Sequence, residues 1–183
     1  MILEDYSPDV VERASKIKVL VLDVDGVMTD GRIVYGTFGE ELKNFDVNDG
    51  LGIILAKRSG LRCAILTAKG SRVVFKRARE LKIDKVYQNF HYKIRALEPI
   101  CRRFGVSESE ICFVGDDVID APLLKRVGLA VCPPNAMDEV RELAHFVTRK
   151  NGGRGAVREV CDLLIEARGK WEETVGRYFK DQA

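Results

Sequence analysis

The chain alternates short apolar runs with longer amphipathic segments. The runs fall at 18–22, 62–67, 85–87, 111–115 and 129–132, with a weaker one at 145–148. Between them, helices are predicted near 49–59, 70–82, 92–105, 117–127, 136–143 and 155–168. Within 70–82, Val73, Val74, Ala78 and Leu81 share one face, while Arg72, Lys76, Arg77, Arg79 and Lys82 take the other. That spacing belongs to a helix with one side in a core. The short runs are apolar at successive positions, as strands are when both faces of a parallel sheet are covered. The alternation predicts an α/β domain, a doubly wound, Rossmann-like parallel sheet with helices on both faces. Such a sheet places its site beyond the carboxyl ends of the strands.

Residues 31–46 break the pattern. β-branched and aromatic residues flank Gly36-Thr37-Phe38-Gly39, which predicts a β-hairpin inserted after the first strand. It would overhang the site as a flap, and there is no room for a large cap. A single domain is expected over 1–169. Residues 170–183 read as a polar tail with lone aromatics at Trp171, Tyr178 and Phe179, either frayed or docked on a partner chain.

Composition narrows the classes. With 183 residues, 46% apolar and 32% charged, the chain has the make-up of one soluble globular domain. A net charge of +2 is too small to suggest nucleic acid, and no apolar stretch approaches a membrane span. The first residues are acidic and lack a secretory pattern, so cytoplasm is the default expectation. Cys63, Cys101, Cys112, Cys132 and Cys161 are scattered without zinc spacing, and Cys63, Cys112 and Cys132 sit in strand-like runs as small core residues. His145 reads as structural; His91, just before Lys93, could line a site.

The chemistry starts where the first strand ends, in Asp23-Val24-Asp25-Gly26-Val27-Met28-Thr29-Asp30-Gly31. Two carboxylates two residues apart at the mouth of a buried strand are costly unless a cation or a shared proton relieves them. Thr67, Lys93 and Gly115-Asp116-Asp117-Val118-Ile119-Asp120 lie at or near other strand ends, which a parallel sheet brings to one edge. This oxygen-rich set suits Mg²⁺ rather than zinc, and Mg²⁺ shares its carboxylates with phosphate ligands. Lys93 and the Thr67 hydroxyl would then hold phosphoryl oxygens. An EF-hand fails at Val27, Met28 and Val34, and no P-loop sequence occurs. A reading in which Asp23 and Asp25 merely cap a turn leaves the other motifs unexplained.

Asp23-x-Asp25-Gly26-x-x-Thr29-Asp30-Gly31, followed in order by Thr67, Lys93 and Gly115-Asp116-Asp117-x-x-Asp120, resembles the haloacid dehalogenase superfamily of phosphohydrolases over about residues 17–150. The resemblance implies Asp23 as nucleophile, forming an aspartyl-phosphate, and Asp25 as the acid and base that serves the leaving oxygen and then the water. It implies Mg²⁺ on the Asp23 carboxylate, the Asp25 backbone carbonyl and Asp116, with Asp117 and Asp120 supporting those ligands. Gly39-Glu40-Glu41-Leu42-Lys43, Asp46-Val47-Asn48-Asp49-Gly50 and Gly152-Gly153-Arg154-Gly155-Ala156 extend the match. With them the chain is similar to the 3-deoxy-D-manno-octulosonate 8-phosphate phosphatases. That implies a phosphorylated sugar acid as substrate, lipopolysaccharide biosynthesis as context, and a homotetramer whose hairpins meet at its centre. The implied substrate residues are Asp25, Asp46, Val47, Asn48, Asp49, Gly50, Lys69, Arg77 and Lys93.

Three departures bear on substrate. Asp46 stands where close relatives have Asn, Ile54 where they have Arg, and Ala68-Lys69 where they have Gly-Arg. Loss of a guanidinium removes a planar, bidentate partner for carboxylate or phosphate. A sialic-acid-type 9-phosphate is therefore an alternative substrate, and a catalytically silent binding domain is the alternative of another class. Most of the basic stretch 69–79 reads as a solvated helix face, although its first turn would begin beside Thr67, where free N–H groups favour an anion. Arg154 either serves a neighbouring site or belongs to a flexible connector.

Overall fold

The computed structural model describes residues 2–180, and Met1 and residues 181–183 lie outside it. Its strands are β1 (Val19–Leu22), β2 (Val34–Tyr35), β3 (Glu41–Leu42), β4 (Arg62–Leu66), β5 (Lys85–Tyr87), β6 (Ile111–Val114), β7 (Leu129–Cys132) and β8 (Phe146–Val147). Its helices are α1 (Pro8–Lys16), α2 (Val47–Arg58), α3 (Arg72–Glu80), α4 (Leu97–Phe104), α5 (Ala121–Leu124), α6 (Asp138–Arg141), α7 (Ala156–Ala167) and α8 (Trp171–Thr174). Six strands form one parallel sheet in the order β5-β4-β1-β6-β7-β8. The order reverses about β1, which leaves a crevice at its carboxyl end for a site.

Alternation along the strands divides the core in two. Leu20, Leu22, Cys63, Ile65, Cys112 and Val114 face α1, α2, α3 and α7. Val19, Val21, Ala64, Leu66 and Phe113 face α4, α5 and α6. Each Leu or Ile buried in this way contributes about 2 kcal/mol, and together they fix β1 at the centre of the sheet. Cys63, Cys112 and Cys132 are buried within it, as their apolar runs require. His145 accepts the Ala130 amide on Nδ1 at 2.9 Å, a structural bond at the start of β8.

The hairpin is present but short. Only Val34 pairs with Leu42 and Tyr35 with Glu41, so its own ladder gives it little stability. Its apolar side chains point outward, Phe38 being 95% exposed.

Two terminal elements differ from the sequence expectation. Helix α1 was not anticipated, although Ser7 caps it, Pro8 opens it, and Val10 and Ala14 are buried against the sheet. The segment after 169 is not a loose tail. Val175 is buried in the main core, Trp171 packs against it, and the Tyr178 hydroxyl accepts a bond from Arg58. Isolated aromatics in a polar stretch have no periodicity, so only the tertiary contact reveals this docking. Helix α8 and these contacts carry the ordered chain on past residue 169.

Candidate active site

Asp23 leaves β1 with its amide donating to the Val114 carbonyl at 3.0 Å, so β6 holds the start of the loop. The Val24 carbonyl then accepts the amides of Val27, Met28 and Thr29, which coils the loop back on itself. Gly26 takes a φ of +85°, and a Cβ there would stand 1.9 Å from the Asp116 Oδ2. A glycine is needed for the turn and for the carboxylate lying over it.

Lys93 begins a 3-10 turn ahead of α4 and is 1% exposed. Its ammonium lies 2.7 Å from the Asp23 carboxylate and 2.5 Å from that of Asp120. The other Asp120 oxygen accepts the amides of Asp116 at 3.0 Å and Asp117 at 3.2 Å, which fixes the loop after β6. Asp23, Asp116 and Asp120 each bring a carboxylate oxygen within 4.8 Å of the others. One ammonium against three carboxylates leaves negative charge unmatched. Burial pushes the Asp23 carboxyl up to about 7, with Lys93 opposing and Asp120 adding to the rise. Burial, Asp23 and Asp120 push Asp116 up to about 8. Burial works against the Lys93 charge, yet Asp23 and Asp120 hold its ammonium above the ordinary lysine value.

The Asp116 Oδ1 is buried with no hydrogen-bond partner among the described residues. An orphaned carboxylate oxygen beside two more acids is what a hard divalent cation would satisfy, and the all-oxygen donor set suits Mg²⁺. The structure brings Asp23 and Asp116 together as the sequence implied. Asp120 is the third carboxylate of the group; Asp25, implied as a ligand through its backbone carbonyl, pairs its own carboxylate with the Lys43 ammonium. Asp117, expected as a ligand support, is exposed and instead caps the 3-10 turn by accepting the Val118 amide at 2.6 Å.

Thr67 is buried at the end of β4, and its hydroxyl accepts the Lys69 amide at 3.3 Å, which shapes the loop into α3. The anion-friendly start of α3 is already taken. Ser71 caps the helix and donates its hydroxyl to Glu41 at 2.6 Å. Lys69 pairs with the same Glu41 at 2.9 Å. His91 is exposed.

The residues implied for substrate binding are divided. Lys69 belongs to the flap side of the site. Asp46 caps α2, accepting the Asn48 and Asp49 amides at 2.6 and 3.3 Å. Val47 and Asn48 are exposed and, with Asp46, Asp30, Gly153 and Arg154, line an open cavity of about 400 Å³. Arg77 reaches the Asp46 carbonyl at 3.4 Å and stands over the Phe45 ring, packed so closely on Gly50 that a Cβ there would lie 2.4 Å from its Nη2. Asp49 is corrected. Its carboxylate is buried and accepts the Arg158 amide at 2.7 Å, satisfying the first turn of α7 rather than facing the site. Ile54, at one departure, packs against the core from α2.

Sequence reasoning missed Glu41, Lys43 and Asn135. Asn135 donates to the Gly26 carbonyl at 2.9 Å and accepts the Gly152 amide at 2.7 Å, tying the Asp23–Gly31 loop to the glycine-rich turn before α7. Glu41 and Lys43 lay in a quoted motif, but nothing local marks a lysine as buried.

The profile of the haloacid dehalogenase-like hydrolases matches residues 62–160. Over 171 residues the chain is 43% identical to the 3-deoxy-D-manno-octulosonate 8-phosphate phosphatase of Escherichia coli (strain K12), a match spanning 93% of this chain and 91% of that one. The chain belongs to the haloacid dehalogenase-like hydrolases. Among solved members of this family, the Yersinia pestis 3-deoxy-D-manno-octulosonate 8-phosphate phosphatase has a TM-score of 0.88 at 42% identity, covering 90% of this chain and 89% of its own. The Moraxella catarrhalis phosphatase of the same name, in complex with magnesium ion, phosphate ion and a KDO molecule, has a TM-score of 0.92 at 35% identity, covering 94% and 99%. This hydrolase therefore has the fold its sequence implied, with a hairpin in place of a large cap.

Proposed function

We propose that this hydrolase is a Mg²⁺-dependent phosphomonoesterase that converts 3-deoxy-D-manno-octulosonate 8-phosphate to the free sugar acid and phosphate. The single observation that carries the reading is the buried Asp23–Lys93–Asp120 cluster with the orphaned Asp116 oxygen beside it. Asp23 attacks phosphorus in line with the ester oxygen, its approach to an anionic phosphate eased by the Lys93 ammonium. Asp25, on the loop beneath the flap, gives its proton to the departing alkoxide and then takes one from the water that cleaves the aspartyl-phosphate. The Thr67 hydroxyl and Lys93 hold phosphoryl oxygens. Mg²⁺, held by Asp23, the Asp25 carbonyl and Asp116 with Asp120 behind them, would neutralise charge on the transferring group. Lys69 and Arg77 are the cations we assign to the sugar acid.

Phosphate release from a panel of eight- and nine-carbon sugar-acid phosphates and simple sugar phosphates, with and without Mg²⁺, tests this. A Mg²⁺-dependent preference for the eight-carbon compound is expected. Preference for the nine-carbon 9-phosphate would keep the reaction and move the substrate, in keeping with Ile54 and Lys69 standing where relatives have Arg. No metal-dependent release from any compound would favour a silent binding domain.

The assembly we propose is a homotetramer joined through its flaps, supported by exposed Ile33, Tyr35, Phe38 and Leu42 on one short hairpin. A cytoplasmic setting is supported by five free cysteines, which suit a reducing compartment. No helix among the described residues is long and apolar enough to cross a membrane.

A further inference from the structure

The flap reaches the site through one side chain. Lys43 follows β3, and although the hairpin around it is largely exposed, its side chain is 1% exposed. Its ammonium meets the Asp25 carboxylate at one side and lies 3.3 Å from Glu41 on the other. Glu41 is itself pinned, by the Ser71 hydroxyl at 2.6 Å and the Lys69 ammonium at 2.9 Å. The Ser71 bond, with Lys69 and Lys43 outweighing the effect of burial, holds the Glu41 carboxyl down at about 2, so this hub stays ionised. Two pairs of facing residues cannot anchor a hairpin by themselves. A buried lysine held between two carboxylates can, and it has no other partner to compete for it among the described residues.

We propose that Lys43 is a positioning residue for Asp25, with Glu41 as the fixed point that sets where its ammonium stands. The inference rests on Asp25 as proton donor to the leaving group. Asp25, as the acid of the first step, has to take up a proton from solvent beforehand. As the bond from Asp23 to phosphorus forms and the ester P–O bond breaks, that proton passes to the leaving oxygen. Asp25 is left as a carboxylate, and Lys43 receives its charge and keeps it aimed at the scissile oxygen. Up to the first phosphoryl transfer the contribution belongs to proton donation alone, so in that step it matters only when the leaving oxygen needs a proton.

That restriction gives the test. A sugar phosphate departs as a basic alkoxide, whereas 4-nitrophenyl phosphate departs as a stable phenolate that needs no acid. The ratio kcat/KM reports the path up to the first phosphoryl transfer, so it isolates the step. Lys43→Met is expected to lower kcat/KM for the sugar-acid phosphate about 100-fold, the scale of a misplaced catalytic group, and to change that for 4-nitrophenyl phosphate less than about threefold. Lys43→Arg should recover part of the loss, and Glu41→Gln should show the same selectivity with a smaller loss. Asp25→Asn is measured beside them. Equal losses on both substrates in Lys43→Met and Glu41→Gln, with selective loss in Asp25→Asn, would overturn the role of Lys43 while keeping Asp25 as the acid. An unselective Asp25→Asn would overturn the acid assignment and the inference with it. Should Lys43→Met fail to fold, Lys43→Arg and Glu41→Gln carry the same comparison.

Discussion

Gly152→Ala is the sharpest probe of how the loop bearing Asp23 and Asp25 is held. A Cβ on Gly152 would stand 1.7 Å from the Gly26 carbonyl oxygen, 2.5 Å from its carbon and 3.0 Å from the Val27 nitrogen. All three are backbone atoms, so no side chain can swing away. Restoring an ordinary 3.4 Å contact requires the two backbones to part by about 1.7 Å, more than half the length of a hydrogen bond. Across that gap run Gly153 N to the Val27 carbonyl at 2.9 Å and both bonds of Asn135. Overpacking costs about 1–3 kcal/mol, and each hydrogen bond lost adds about 1 kcal/mol. A total near 5 kcal/mol corresponds to a melting temperature lower by roughly 10–20 °C for a chain of this size. Because Gly26 directly follows Asp25, a shift of about 1 Å in the loop should also cost on the order of 100-fold in kcat/KM. Asn135→Ala removes the bridge without the overlap and should cost about 1–2 kcal/mol. The double variant should lose less than the sum, since both changes break the same bonds. Thermal melting and steady-state phosphate release measure both quantities. Melting within about 2 °C of the parent and kcat/KM within about threefold would show that this contact does not hold the loop, and would refute the reasoning.

Three further outcomes follow from the site and its supports. Asp23→Asn should abolish turnover while the circular dichroism and melting cooperativity stay native; turnover at the parent rate would exclude Asp23 as nucleophile. Without metal, Asp23 and Asp116 titrate near 7 and 8, far above the unfolded value, so the folded state keeps protons that the unfolded chain has shed. Their contribution is fully present below about pH 4 and is lost as pH rises through 7 to 8. The metal-free melting temperature should fall over that range, and the rise on adding Mg²⁺ should be larger at pH 8 than at pH 6; an increment independent of pH would contradict the shared-charge reading. Burial pushes Asp49 up to about 6, against the pull of the Arg158 amide. The melting temperature of Asp49→Asn relative to the parent should therefore climb between pH 4 and pH 7 and level off above it, and a flat difference would remove Asp49 as a buried, titrating support of α7.

Periodicity and chain order settled the sheet. Apolar runs within 18–22, 62–67 and 111–115 left little alternative to central parallel strands, and a parallel sheet delivers the ends of β1, β4 and β6 to one edge whatever lies between them. That is why Asp23, Thr67, Lys93 and Asp116 were legible as a set before any contact was known. Side chains of like charge were not so easily told apart. Asp25 and Asp120 carry the same group, yet only the packing of Lys93 between Asp23 and Asp120 puts the latter into the buried trio and frees the former for Lys43. Asp49 and Asp46 sit three residues apart on one motif, yet one faces α7 and the other caps its own helix, because the face a helical residue presents is set by what packs on it. Lys43 was invisible as a buried cation, since its partners lie 18 residues behind it and two residues behind it on a strand of no length. Local pattern thus fixed which strands form and where their ends meet. The choice of partner for each charge was left to long-range contacts, where burial makes an unpaired ion too costly to keep.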